Sequence, residues 1–320
     1  MSFGRPAIEE RLTRFNFVKA TYKWVQNHGI EVDILIPKDS KDGARPCMVH
    51  FHGGGLITGS SLFSGFISQW ILDHALEHSA ITVCPNYRLM PEANGLDILE
   101  DLADFWKWLY AQLPTLISWA SEGDSTVDVE KMLVVGGSAG GYLAIQSALT
   151  QPAGKIKAVI AGYPMLDIKS PWFMEPLPNR SYGSTPLTSS IVDYHMLQMK
   201  EGDVVSGVDP PARVDLFRAA FQYGRIFFML GLDKSLFPVE VLESVTSCPP
   251  LFIFHGLDDT VVEVKGTKVF QEKFGNVLPN GKIMVKYEPG DHGFESKAAL
   301  DTPWLREGLD WVTQEWLGGC

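Results

Sequence analysis

Six short, almost unbroken apolar runs punctuate this chain: CMVHF (47–51), AITVCPNY (80–87), KMLVVGG (131–137), IKAVIAGY (156–163), PLFIFHG (250–256) and KIMVKYE (282–288). Runs this short, with no alternation of polar residues, predict strands buried on both faces. Between most of them lie amphipathic helical patterns, at 67–78, 97–121, 140–150 and 263–274, with another after the last run at 303–317. Strand alternating with helix predicts an α/β fold with a mostly parallel central sheet and helices on both faces. Ahead of the first run, VKATYKWV and VDILIP flank the turn-like QNHGIE within 15–37 and predict an antiparallel hairpin at the sheet edge. One segment breaks the rhythm. Residues 169–243 form a connection far longer than a crossover requires, rich in Pro, aromatics and Met, with helical patches at 189–200 and 211–231. They predict a helical cap insertion over the active-site edge, with the first 15 residues as an aid to it. The expected organisation is therefore a core in two parts, 1–168 and 244–320, interrupted by a cap at 169–243.

Charge narrows the partners. The formal net charge of −11, from 27 basic and 38 acidic residues among 320, excludes a sequence-independent nucleic-acid binder, which needs basic surface to displace counterions. The N-terminal stretch MSFGRPAIEERLTRF has no apolar run of signal-peptide length, and no run long enough to span a bilayer follows, so a soluble, cytoplasmic protein is expected. Cys47, Cys84, Cys248 and Cys320 are widely spaced with no CxxC pair, which predicts free thiols. No phosphate-cradling G-x-x-x-x-G-K-[ST] or dinucleotide G-x-G-x-x-G occurs, so no nucleotide cofactor is expected. The H-x-x-E-H spacing of His74, Glu77 and His78 would place ligands on one helix face, but no third ligand suggests itself and no metal is expected. His50 and His52 alternate along one strand, and two ligands do not make a site.

The chemistry concentrates where strands end. VVGGSAGG (134–141) puts Ser138 within G-x-S-x-G, at the junction of a strand and a helix. A nucleophile on so sharp a turn needs small neighbours, and the helix N-terminus behind it favours developing negative charge. After the strand CMVHF come His52 and three glycines, 53–55, which would weaken a strand unless another group must approach the backbone. An oxyanion is such a group: N–H donors from Gly54 and Gly55, joined by that of Ala139, could receive it, although which two glycines donate stays open. A serine nucleophile needs a base and an orienting acid. His292 in EPGDHGF and Asp258 or Asp259 in LDDTVV both lie just past strand ends, in the chain order Ser, Asp, His.

With HGGG at 52–55, NYRLMPE at 86–92, GGSAGG at 136–141 and DHGF at 291–294, the chain resembles serine hydrolases of the α/β-hydrolase superfamily, in the hormone-sensitive-lipase-like esterase group. The pattern is also similar to fungal hydrolases that accompany secondary-metabolite synthases. It departs from the group at Gly137, where many members carry an acidic residue, and at 258–262, where many have D-P-L. The resemblance implies Ser138 as nucleophile, His292 as base and, by the pattern H-G-x-x-D-x-x-V, Asp259 as acid, with Asp258 the alternative under a G-x-D reading. Arg88 and Glu92 are expected to tie the loop under the site. The expected activity is cofactor-free hydrolysis of carboxylic esters, small-molecule substrates, through an acyl-serine. Two alternatives stand beside it. One is a thioesterase releasing an acyl or polyketide chain from an acyl carrier protein; the other is a non-catalytic small-molecule receptor, which would have lost the triad.

Overall fold

A computed structural model describes residues 5–39, 43–177 and 186–318; Cys320 and part of the insertion lie outside them. Eight strands form one sheet: β1 (Phe15–Val25), β2 (His28–Pro37), β3 (Gly43–Phe51), β4 (Ile81–Pro85), β5 (Ser125–Gly137), β6 (Ala158–Gly162), β7 (Leu251–Gly256) and β8 (Ile283–Glu288), in the order β1-β2-β4-β3-β5-β6-β7-β8. β2 runs antiparallel to β1 and β4, and from β4 to β8 every pairing is parallel. The opening hairpin is thus the antiparallel edge, and its turn is tighter than QNHGIE suggests, only Gln26 and Asn27 separating the strands. The central strands β4 and β6 are buried at every residue, so ITVCP and AVIAG carry no polar face.

The helices are α1 (Arg5–Leu12), α2 (Gln69–Glu77), α3 (Gly95–Ala120), α4 (Ala139–Thr150), α5 (Pro171–Met174), α6 (Ser190–Gln198), α7 (Val214–Gln222), α8 (Ile226–Leu230), α9 (Pro238–Val241), α10 (Val264–Val277) and α11 (Pro303–Leu317). One apolar layer joins α2 and α11 to the sheet, with Trp70, Trp316 and Phe254 in its middle. The opposite layer holds α3, α4 and α10, and the insertion packs into it through Phe221, Phe227 and Phe237. Cys47 and Cys84 are buried within the sheet and, like the half-buried Cys248, are free thiols.

Four expectations shift. α3 starts at Gly95 rather than Asp97, because Asn94 and Asp97 form a capping box, the Asn94 side chain accepting from the N–H of Leu96 and Asp97. β5 begins six residues early, since its polar half, STVDVE, pairs with the start of β3 before a register shift between Pro46 and Cys47. The N-terminal segment, in its described part, does not join the cap: α1 packs on α2 and is fastened by Arg11 Nε donating to Asp73 at 2.6 Å. Within 211–231 the helix is broken into α7 and α8 at Tyr223 and Gly224.

The insertion reaches back over the C-terminal edge of the sheet. Gly59 and Val208 form a bridge, as do Arg88 and Ser206. Among the described residues no helix is long and apolar enough to cross a membrane.

Candidate active site

Ser138 occupies the single residue between β5 and α4, at φ 58° and ψ −121°, a strained conformation for a residue with a side chain. The turn closes because its neighbours are small: a Cβ on Gly140 would stand 2.1 Å from the Phe51 carbonyl oxygen. Ser138 is held by its N–H donating to the Gly162 carbonyl at 2.9 Å, while its own carbonyl accepts from Tyr142 N at 3.0 Å. Its hydroxyl makes no hydrogen bond among the described residues, His292 included.

The HGGG loop lies against this serine, since a Cβ on Gly53 would come within 3.7 Å of the Ser138 Cβ. Gly54 and Gly55 are buried, yet their N–H groups find no acceptor among the described residues. Buried amides are almost always paired, so these two stand out as idle donors beside the serine. Ala139, the first residue of α4, adds an N–H that no helical carbonyl can satisfy. Gly55 has φ +64°, and a Cβ there would lie 2.3 Å from the Phe217 ring, so α7 of the insertion is pressed onto this loop.

His52 braces it from below. Its ring stacks on Tyr87 at 4.3 Å between centroids, its Nδ1 meets the Gly53 carbonyl at 2.8 Å, and Tyr87 donates to the His52 carbonyl. Burial pushes the His52 imidazole down to about 4, the Gly53 hydrogen bond opposing it only in part. It is therefore neutral under ordinary conditions and serves as a fixed prop.

His292, in the loop after β8, meets Asp259, in the loop after β7: Nδ1 and Oδ2 are 2.8 Å apart. Oδ1 of Asp259 accepts from the N–H of Val261 and of Val262, both at 2.8 Å. Burial pushes this carboxyl up, but the His292 charge and hydrogen bonds from His255 and His292 outweigh it and hold the group well below the usual carboxylate range. Asp258 is exposed and instead accepts from Gly290 N at 3.2 Å, stapling the two loops together. Of the two aspartates, then, only Asp259 reaches His292. Tyr163 connects this pair to the serine turn. Its ring centroid is 4.4 Å from that of His292, and its hydroxyl lies beside Gly137.

Sequence reasoning passed over several members of this region. Asp291 accepts from Thr260 N and Oγ1, each at 2.8 Å, locking the acid loop to the histidine loop. Arg88 was expected to tie the loop, and it does so by contacts to Asp97, Glu100 and Asp101 at the start of α3. Glu92 works differently: it accepts from Arg213 Nη2 at 2.6 Å and meets His195 Nε2 at 2.8 Å, both from the insertion. Arg213 also donates to the carbonyls of Ile57 and Met90, so one guanidinium joins the insertion to the segment just past the glycines. The H-x-x-E-H residues do converge, with Glu77 Oε2 3.8 Å from His74 Nδ1 and 3.7 Å from His78 Nε2, but Glu77 already pairs with Arg306 at 3.1 Å.

Residues 48–209 match the model of a family described as having the alpha/beta hydrolase fold. The chain is 33% identical over 315 residues to "Probable carboxylesterase M8" of Phoma sp., covering 94% of this chain and 97% of that protein. The chain belongs to the α/β-hydrolase family. Among solved structures, esterase 2 of Thermogutta terrifontis, phosphonylated by sarin, superposes with a TM-score of 0.59 at 19% identity, covering 93% of each chain, which speaks for the fold. A further match is to a non-reducing polyketide synthase of Preussia isomera, 24% identical over 336 residues, covering 92% of this chain and 14% of that much longer protein.

Proposed function

We propose that this α/β-hydrolase is a carboxylesterase working through an acyl-serine, with Ser138 as nucleophile, His292 as base, Asp259 as orienting acid and Gly54, Gly55 and Ala139 as the oxyanion hole. The observation that carries the proposal is the hydrogen bond between Asp259 and His292, with Tyr163 packed on His292 and its hydroxyl beside Gly137 of the strained serine turn. Asp259 bonds Nδ1 of the imidazole and so leaves Nε2 to take a proton. Ser138 Oγ then adds to the ester carbonyl carbon, its proton passing to Nε2, and the carbonyl oxygen becomes an oxyanion facing the idle N–H groups. Collapse breaks the bond to the alkoxy oxygen, which leaves as the alcohol with the proton held by His292. Water repeats the sequence on the acyl-serine, releasing the acid and restoring Ser138. No metal or cofactor enters any of these steps.

The insertion serves as the cap, and Phe217 and Phe221 at Gly55 make one apolar wall for the acyl group. We take the reaction to be cytoplasmic, in keeping with free thiols at Cys47, Cys84 and Cys248. A second reading, release of an acyl or polyketide chain from a carrier thioester, is favoured by the match to part of a polyketide synthase. Both use the same serine chemistry.

The deciding experiment is hydrolysis of p-nitrophenyl esters from acetate to dodecanoate beside acyl-N-acetylcysteamine thioesters, with wild type and Ser138→Ala, together with fluorophosphonate labelling. Serine-dependent turnover of esters supports the first reading, and turnover confined to thioesters supports the second. Folded protein that neither turns over nor labels overturns both in favour of a non-catalytic receptor.

A further inference from the structure

We propose that Glu295 is a positioning residue for His292, acting through the Tyr163 hydroxyl, and that an internal water behind the Ser138 turn completes the network. The inference rests on the role given to His292 above. Tyr163 follows β6 directly at φ 34°, in the left-handed region that a residue with a side chain enters only when its surroundings compel it. What compels it is visible on both sides of the ring. One edge packs on the His292 imidazole, 4.4 Å between centroids at 60°, and the hydroxyl donates to Glu295 Oε1 at 2.8 Å. The Ser68 hydroxyl donates to the same oxygen at 2.8 Å. Glu295 is only 4% exposed and lies in a short 3-10 turn, Phe294–Lys297, that begins two residues after His292. The turn that carries the histidine therefore also carries the carboxyl that fixes the tyrosine packed on it. The imidazole is gripped by Asp259 at Nδ1 and by Tyr163 on its side.

Behind Gly136 and Gly137 a cavity of about 20 Å³ is lined by His50, Trp70, Tyr163 and Glu295, among others. Both ring nitrogens of His50, the Trp70 Nε1 and the Glu295 Oε2 are buried without a partner among the described residues. One water needs about 10–15 Å³ and two to four polar partners, and this cavity supplies both. A water there takes a hydrogen bond from Trp70 Nε1–H, exchanges one with His50 and gives one to Glu295 Oε2.

Four variants and two structures test this. Tyr163→Phe keeps the ring and removes its donor; Glu295→Met removes the acceptor; Glu295→Gln keeps one. Tyr163→Phe and Glu295→Met should each lower kcat about tenfold with KM within about twofold, the double variant should fall no further than either alone, and Glu295→Gln should stay within about threefold of wild type. Crystal structures should show a water between His50, Trp70 and Glu295, and in Tyr163→Phe a His292 ring turned off Asp259. Additive losses, a Tyr163→Phe variant equal to wild type, or an unmoved ring overturns the positioning role, and a dry cavity overturns the water. Tyr163→Phe decides the matter should Glu295→Met fold poorly. Absence of Ser138-dependent turnover in wild type refutes the esterase reading instead, and the ring position then decides this one.

Discussion

Replacing Asp259 by asparagine separates the two adjacent aspartates by function. Asparagine can keep its oxygen toward the N–H groups of Val261 and Val262, which now hold Oδ1 at 2.8 Å each, so the loop has reason to stay folded. That choice turns the amide NH2 toward His292 Nδ1, 2.8 Å away in the native protein. A donor facing Nδ1 forces the ring proton onto Nε2, and the base is then protonated on the side it needs free. The charge is lost as well. A carboxylate about 4 Å from an imidazolium contributes about 4 kcal/mol at an effective dielectric near 20, or about three orders of magnitude in rate. Together with the wrong tautomer, kcat for a p-nitrophenyl ester should fall about 10³- to 10⁴-fold at neutral pH, with KM little changed, in line with asparagine replacements in Ser-His-Asp sites generally. Asp258→Asn should cost less than about threefold, because the amide oxygen can still accept from Gly290 N across an exposed contact. If Asp258→Asn proves the more damaging, or Asp259→Asn loses less than about tenfold, the assignment of the acid is wrong.

Gly55→Ala places a methyl 2.3 Å from the Phe217 ring at φ +64°, and should lower kcat by about 10²-fold through a displaced oxyanion loop, read in the same ester assay. Arg213→Met strips Glu92 of its cation and the Ile57 and Met90 carbonyls of a donor, and should cost about 2–4 kcal/mol in urea unfolding and raise KM by loosening the insertion. Acid should act on the same groups. Burial raises Glu92 and Asp259, but Arg213 with His195, and His292 with His255, outweigh it, so both carboxyls titrate lower folded than unfolded. Their stabilisation is complete above the unfolded values near about 4 and is lost as pH falls toward the folded ones; burial also holds His50, His52 and His74 neutral below the ordinary imidazole value, a loss that starts below about 6.5, so Tm should decline from about pH 6.5 and drop more steeply below about 4.5. Glu295, raised by burial, works in the opposite sense, and Arg213→Met should flatten the acid drop by removing the Glu92 share.

What could be read from the sequence was whatever a residue's own neighbours determine. Continuous apolar runs announced the strands, all of them buried except β8, which is only half-buried because it lies at the sheet edge with one neighbour, and GGSAGG announced a turn too tight for anything but small residues around Ser138. HGGG announced backbone N–H groups kept free of a side chain, which is how Gly54 and Gly55 stand in the fold. Local pattern failed where the reason for a residue lies across the molecule. STVDVE carries little strand signal because half of it faces solvent, and it becomes strand only by pairing with the start of β3. Asp258 and Asp259 are chemically identical neighbours that only the pattern H-G-x-x-D-x-x-V told apart, in favour of Asp259; in the fold one is buried against His292 and the other stapled to Gly290, contacts made only once β7 and β8 lie side by side. Glu92 reads as part of an architectural motif, yet its partners, Arg213 and His195, arrive from more than a hundred positions downstream. Tyr163 and Glu295, 132 residues apart, leave no trace in sequence beyond an ordinary Tyr after a strand and an ordinary Glu after DHGF. The groups proposed to react are thus legible because such chemistry demands special local backbone, whereas the groups proposed to aim them are hidden, since aiming demands only contact and contact is made by the fold.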